Sequence, residues 1–246
     1  MILRVFANSV LIGTELAGEL ALPAQGIIYR SAQNEVRMSP SSDTAAPPTR
    51  GRPRSFDRAR ALDAAMHVFW AKGFAGASMT DLTSAMGIAS PSLYAAFGSK
   101  EGLYREAIQH YVDSNIGSFW GVMDLPTARE SVEGLLRNAA RAFSTPGAPP
   151  GCMVLQTATE GGDLSADLAD SLCEMRASNA ETLARRVQRG VEEGDVAPGT
   201  NVRAVADFYA TVHKGLSLSA KGGAGADELN SVVTSAMAAW VPLTQA

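Results

Sequence analysis

The chain has 246 residues, 46% of them hydrophobic and 19% charged, which is enough apolar material for a sizeable buried core. Its two cysteines, Cys152 and Cys173, are too few for a disulfide framework and lack the paired spacing of a zinc site, so free thiols in a reducing cytoplasm are expected. No run approaches the length of apolar sequence that a membrane helix needs, and the net charge of −4 conceals an asymmetry along the chain. Residues 50–110 carry eight basic and five acidic side chains, whereas residues 111–246 carry ten and sixteen. One segment is thus suited to a polyanion and the other is not.

Residues 1–53 read as a leader. The apolar run Val5–Ile12 is interrupted by Asn8 and Ser9 and followed by Gly13 and Glu15, which leaves little room for a secretory core. Met38 stands directly before a Ser/Pro/Thr-rich stretch, so residues 1–37 are expected to lie upstream of the true start and residues 39–53 to form a flexible tail. At its end, Gly51-Arg52-Pro53-Arg54 forms a basic arm in which proline favours an extended path. Arg52 and Arg54 are candidate minor-groove contacts for that reason.

From residue 54 onward the pattern is helical, and no alternating β-branched run suggests a sheet, so an all-α chain is expected. A first helix over residues 57–72 repeats Leu62, Ala65, Met66 and Phe69 on one face and is expected to stop at Gly73. Ser78 with Asp81 three residues later predicts a capped second helix, Met79–Met86, that Gly87 ends. Ser90 as N-cap with Pro91 at the first helical position opens a third helix running to Phe97, after which Gly98 and Ser99 introduce a fourth. Further helices are predicted over residues 100–119, 128–143, 155–159, 165–193, 201–220 and 227–240. The last two carry apolar seams, Val202, Val205, Tyr209, Val212 and Leu216 in one and Leu229, Val233, Ala236 and Trp240 in the other.

Residues 78–97 therefore contain two short helices joined by a glycine turn, the arrangement that sets a second helix into a DNA major groove. Leu82, Ala85, Met86, Ile88, Leu93 and Phe97 can pack on Leu62, Met66 and Phe69, leaving Ser90, Ser92, Tyr94 and Ala95 on the open side. Thr80 and Lys100 sit at helix starts, where free N–H groups favour phosphate.

Residues 61–108, with Ala64, Phe69, Gly73, Phe74, Met79, Leu82, Gly87, Ile88, Leu93, Tyr94, Phe97, Lys100, Leu103 and Tyr104 in order, resemble the head of the tetracycline-repressor (TetR) family. The remaining chain is similar only in its helix count, the Gly151-Cys152-Met153 opening of a helix and its closing helix pair. The resemblance implies a three-helix DNA-binding head over residues 54–110 and a helical effector-binding and dimerisation body over residues 111–246. It also implies a recognition helix containing Ser90, Ser92, Leu93 and Tyr94, with Thr80, Tyr94 and Lys100 as phosphate contacts. The expected partners are operator DNA, a second copy joined through residues 201–220 and 227–240, and a small-molecule effector that relieves repression, with no cofactor and no membrane. Charge at Val212 or Val233 is then expected to yield monomers.

Effector-pocket candidates are Trp120, Met123, Phe143, Met153, Met175, Phe208, Tyr209 and His213, an apolar and aromatic set with a few polar atoms. Cys152, near a helix start, raises the alternative of a thiol-based redox or electrophile sensor, and an effector-independent DNA-binding protein is a further alternative. Catalysis has little support: the chain contains no Gly-x-Ser-x-Gly, His-Glu-x-x-His or Cys-x-x-Cys, and His67, His110 and His213 stand apart in sequence.

Overall fold

The structure, a computed structural model, describes residues 56–159 and 164–245, excluding the side chains of residues 116–118. The leader, its expected start at Met38, and Arg52 and Arg54 lie outside the described residues. Among the described residues the chain is all-helical: α1 (Arg58–Gly76), α2 (Met79–Met86), α3 (Ser90–Phe97), α4 (Lys100–Trp120), a 3-10 turn (Gly121–Asp124), α5 (Ala128–Phe143), α6 (Met153–Gln156), α7 (Ala166–Glu193), α8 (Val202–Lys221), α9 (Ala226–Ala238) and α10 (Trp240–Thr244). No helix is long and apolar enough to cross a membrane among the residues described.

Helices α1, α2 and α3 pack together on α4, which runs on past residue 110 to Trp120. Gly73 does break α1, at φ 71°, but a further turn follows it before Ala77. At the start of α2, Ser78 Oγ accepts from the Asp81 amide while the Asp81 carboxylate accepts from the Ser78 amide, a reciprocal cap. Lys72 of α1 lies 2.7 Å from the same carboxylate, and these contacts hold the Asp81 carboxyl well below the usual carboxylate range. Gly87 takes the left-handed conformation, φ 67°, that lets the chain turn into α3. The cap of α3 differs from expectation: Ala89 occupies it without a side-chain bond, so Ser90 and Pro91 are the first two helical residues. Arg58 pins these helices from outside, with its guanidinium 4.5 Å from the Phe97 ring and a 2.7 Å ion pair to Glu106 of α4.

In the body α5 packs against α7, α8 and α9, and α7 lies along α8. The 3-10 turn is strapped to α7: Arg186 donates to Leu125 O at 3.0 Å and Ser131 Oγ at 2.9 Å, and Arg189 pairs with Asp124 at 2.9 Å. The predicted seam residue Val233 is 0% exposed within the single chain and Val212 is half-buried. The seam therefore faces the chain's own core, and a charge at Val233 would disrupt the fold itself rather than separate two copies. The last helix also ends earlier than its apolar pattern suggests, at Ala238, and Trp240 begins the separate short α10.

His213 of α8 is buried, and burial pushes its imidazole down from 6.5 to about 4. The unfolded chain therefore takes up a proton that the folded chain refuses between these values. Stability from this group is complete above pH 6.5 and declines as pH falls toward 4. Urea titrations between pH 7 and pH 5 are expected to show a loss of about 1–2 kcal/mol that His213→Leu largely abolishes; equal losses in both proteins would assign the pH dependence elsewhere.

Candidate nucleic-acid interface and regulatory core

An eight-residue helix has little stability of its own, so α3 is held from behind. Leu93 and Leu82 are 0% exposed, and Phe97, Leu103 and Ile108 complete the surface they rest on. Beneath them Phe69 meets Tyr104 edge-on at 4.8 Å, and Tyr104 packs on Phe74 at 5.1 Å. Leu93, assigned both to the miniature core and to the DNA-contact set, thus belongs to the core, because its spacing from Phe97 puts both on the inward side. The outward side presents Ser90, Pro91, Tyr94 and Ala95, with Ser92 half-buried and Tyr94 49% exposed.

Thr80 is exposed in the first turn of α2. Lys100, at the start of α4, is half-buried with its ammonium 4.6 Å from the Phe74 ring centroid, and desolvation lowers its pKa. Its aliphatic stem therefore helps cover the aromatic core.

The effector-pocket candidates separate into groups. Trp120, Phe143 and His213 come together, with His213 6.1 Å from Trp120 and 5.5 Å from Phe143 by ring centroids. Met153 is buried at the start of α6, and Met123 and Met175 are half-buried against the core. Tyr209 faces the C-terminal helices instead, 5.6 Å from Trp240 and donating to Ala236 O at 3.3 Å. Phe208 is a correction: it is 38% exposed on the outside of α8, because it lies next to, and not one turn from, the buried row of Tyr209, His213 and Leu216.

Cys152 is buried before the four-residue α6, and burial pushes its thiol up despite a hydrogen bond from Tyr111. The expected lowering is therefore reversed: desolvation outweighs any effect of so short a helix. Burial also pushes the Tyr111 phenol up, keeping it a neutral donor.

Sequence reasoning missed the seam between head and body. Trp70 of α1 donates to Gly151 O at 3.1 Å and stacks edge-on with Tyr111 at 5.0 Å. The loop it meets is bound on its other side, by Gly151 N to Phe143 O at 3.0 Å and Cys152 N to Ser217 Oγ at 2.8 Å. Gly151 has φ 79°, and an added Cβ would lie 2.6 Å from Ser217 O, so only glycine suits this close approach. The one signal in the sequence was a tryptophan placed just beyond the apolar stripe of α1.

Residues 61–107 match the family described as bacterial regulatory proteins, tetR family, and residues 128–236 match the tetracyclin repressor-like C-terminal domain. The chain is 31% identical over 212 residues to the HTH-type transcriptional repressor ComR of Escherichia coli (strain K12), covering 85% of this chain and 100% of that protein. It is 34% identical over 191 residues to the HTH-type transcriptional repressor BdcR of the same strain, covering 76% of this chain and 90% of BdcR. Among solved structures it is similar to a cysteine mutant of the TetR family transcriptional regulator CifR complexed with 26-bp double-strand operator DNA. That similarity has a TM-score of 0.73 and 44% identity, covering 77% of this chain and 100% of the CifR chain. With two stretches matching the family's two parts and relatives aligned over nearly their whole length, the chain belongs to the TetR family of DNA-binding transcriptional regulators.

Proposed function

We propose that this regulator is a homodimeric repressor that reads its operator with the outer face of α3 and releases it when a small molecule occupies the helical body. The observation that carries the reading is the division of α3 into a buried side at Leu93 and Phe97 and an open side at Ser90, Tyr94 and Ala95, with Ser92 half-buried at its edge. Small hydroxyl side chains let the helix approach base edges closely, and the Tyr94 hydroxyl reaches phosphate or base. Thr80, at the α2 start, contributes a hydroxyl and free backbone donors to phosphate, and Lys100 a charge near the same rim. The arm residues Arg52 and Arg54 add minor-groove attraction.

Dimerisation through α8 and α9 is supported by apolar side chains left uncovered on their outer faces. Leu218 is 57% exposed, Val232 44% and Phe208 38%. On α8, Phe208, Thr211, Gly215 and Leu218 are all exposed and fall at three- and four-residue spacing, a narrow stripe suited to a second helix. A second copy bringing the same stripe covers both at once, as a two-fold interface requires. The two recognition helices then stand about 34–36 Å apart, one turn of DNA. The body reaches the head through the Trp70–Gly151 hydrogen bond, so an effector that favours one arrangement of the Gly151 loop biases head placement.

Two measurements check this reading. On a duplex selected by the protein from a random library, Tyr94→Ala is expected to lose about tenfold in affinity by anisotropy with its thermal midpoint unchanged. Leu93→Ala is instead expected to lose about 2–5 kcal/mol of stability; undiminished operator binding by Tyr94→Ala would reject the outer face of α3 as the reader. Leu218→Glu combined with Val232→Glu is expected to give folded monomers by light scattering, and an intact dimer would refute the α8–α9 interface.

A further inference from the structure

This inference rests on the effector-relieved reading and assigns that effector a chemical class. Buried polar atoms are ordinarily paired, and those near α6 are: Ser217 Oγ accepts from Cys152 N, Gln156 donates to Pro150 O and accepts from Lys221, and Thr157 donates to Val154 O. His213 is different. The residue is 4% exposed and its Nε2 has no hydrogen-bond partner. Arg186 and Arg189 also hold one nitrogen each without a hydrogen bond, but both nitrogens lie within ion-pair distance of Glu193 and the other N–H groups are engaged by Ser131, Leu125, Met123 and Asp124. On the imidazole no such compensation is available at Nε2, and the cost of leaving it unpaired is carried by the fold.

We propose that His213 Nε2 is the polar anchor of the effector and that the effector is an uncharged, largely aromatic molecule bearing a hydroxyl group. The rings of Trp120 and Phe143 pack against the imidazole, so the surroundings of Nε2 are aromatic. A hydroxyl can donate or accept, so it satisfies Nε2 in either tautomer of the neutral ring. Burial keeps that ring neutral, and the charge that acts on it, Lys214, is exposed, so an ionic ligand would be desolvated without a buried counter-charge. Trp120, at the end of α4, is only half-buried, so this side of the aromatic cluster borders solvent. The site is also connected to the head: Phe143 O holds Gly151 N, and Gly151 O holds Trp70. A ligand that displaces Phe143 therefore moves the loop on which α1 is hung.

The test uses the full chain at pH 7.5 with three probes of similar size: phenol, benzoate and benzylamine. Phenol is expected to raise the thermal midpoint and to shift the ring 15N resonance that disappears in His213→Leu, while benzoate and benzylamine change neither. His213→Leu is expected to bind phenol at least about tenfold more weakly, and His213→Gln, which keeps hydrogen-bonding atoms, to recover part of the loss. If the leucine variant does not fold, the resonance shift in the unsubstituted protein and the glutamine variant decide the matter. Charged probes binding as tightly as phenol, phenol binding undiminished in the folded variants, or no response to phenol overturns the proposal. Operator affinity measured alongside separates the two levels. Phenol bound at His213 with operator affinity unchanged overturns the effector-relieved reading, whereas equal operator release by phenol in all variants keeps that reading and overturns His213 as its anchor.

Discussion

The contact that everything else requires is the seating of α3 on its neighbours through Leu93 and Phe97. Two turns of helix cannot persist in water by their own hydrogen bonds, since nucleation is costly and few bonds follow it. Packing replaces what length does not provide. The same side chains fix the rotation of the helix about its axis, and that rotation decides which residues look outward. Arg58, reaching over Phe97 and pairing with Glu106, and Lys72, pairing with Asp81, tie the short helices to the long ones that flank them. The reading surface is thus a by-product of core packing, and its accuracy is inherited from Phe69 and Tyr104 beneath it.

How far the sequence could be read follows from the range of the forces involved. Helix α2 and helix α5 begin and end where their local signals place them, because caps and left-handed glycines act within a few residues. The cap of α3 was displaced by one residue, since Ala89 offers no side-chain signal and a serine beside a proline offers a competing one. Leu93 and Phe208 show a different limit. Both are apolar residues of a functional segment, and the spacing that turns Leu93 in with Phe97 and leaves Phe208 out beside Tyr209 competes with the role the segment suggests for them. Val233 belongs with them: an apolar stripe announces that it will be covered, without saying by which chain.

Contacts between distant segments left almost no trace in the sequence. The Trp70–Gly151 bond joins residues 81 positions apart, and the straps from Arg186 and Arg189 to the 3-10 turn span more than 60. Cys152 illustrates how such contacts reverse a local expectation. A thiol preceding a helix looks activated when only its neighbours in sequence are considered, but enclosure by Tyr111 and the surrounding core raises its pKa instead. His213 is the converse case: in sequence it was one pocket candidate among eight, and only its assembled surroundings set it apart from the others.

The hydrogen bond from an indole in α1 to the main chain of Gly151 also bears on how such regulators can be recombined. A carbonyl acceptor is supplied by any residue, but the close backbone approach at this one tolerates no side chain. A head transplanted onto a foreign body would keep its own fold and its reading face, yet would lose the hinge pin that orients it unless the receiving loop carried glycine at the same place. Modularity in this architecture therefore depends on the receiving body's loop as well as on the boundary between the two matched segments.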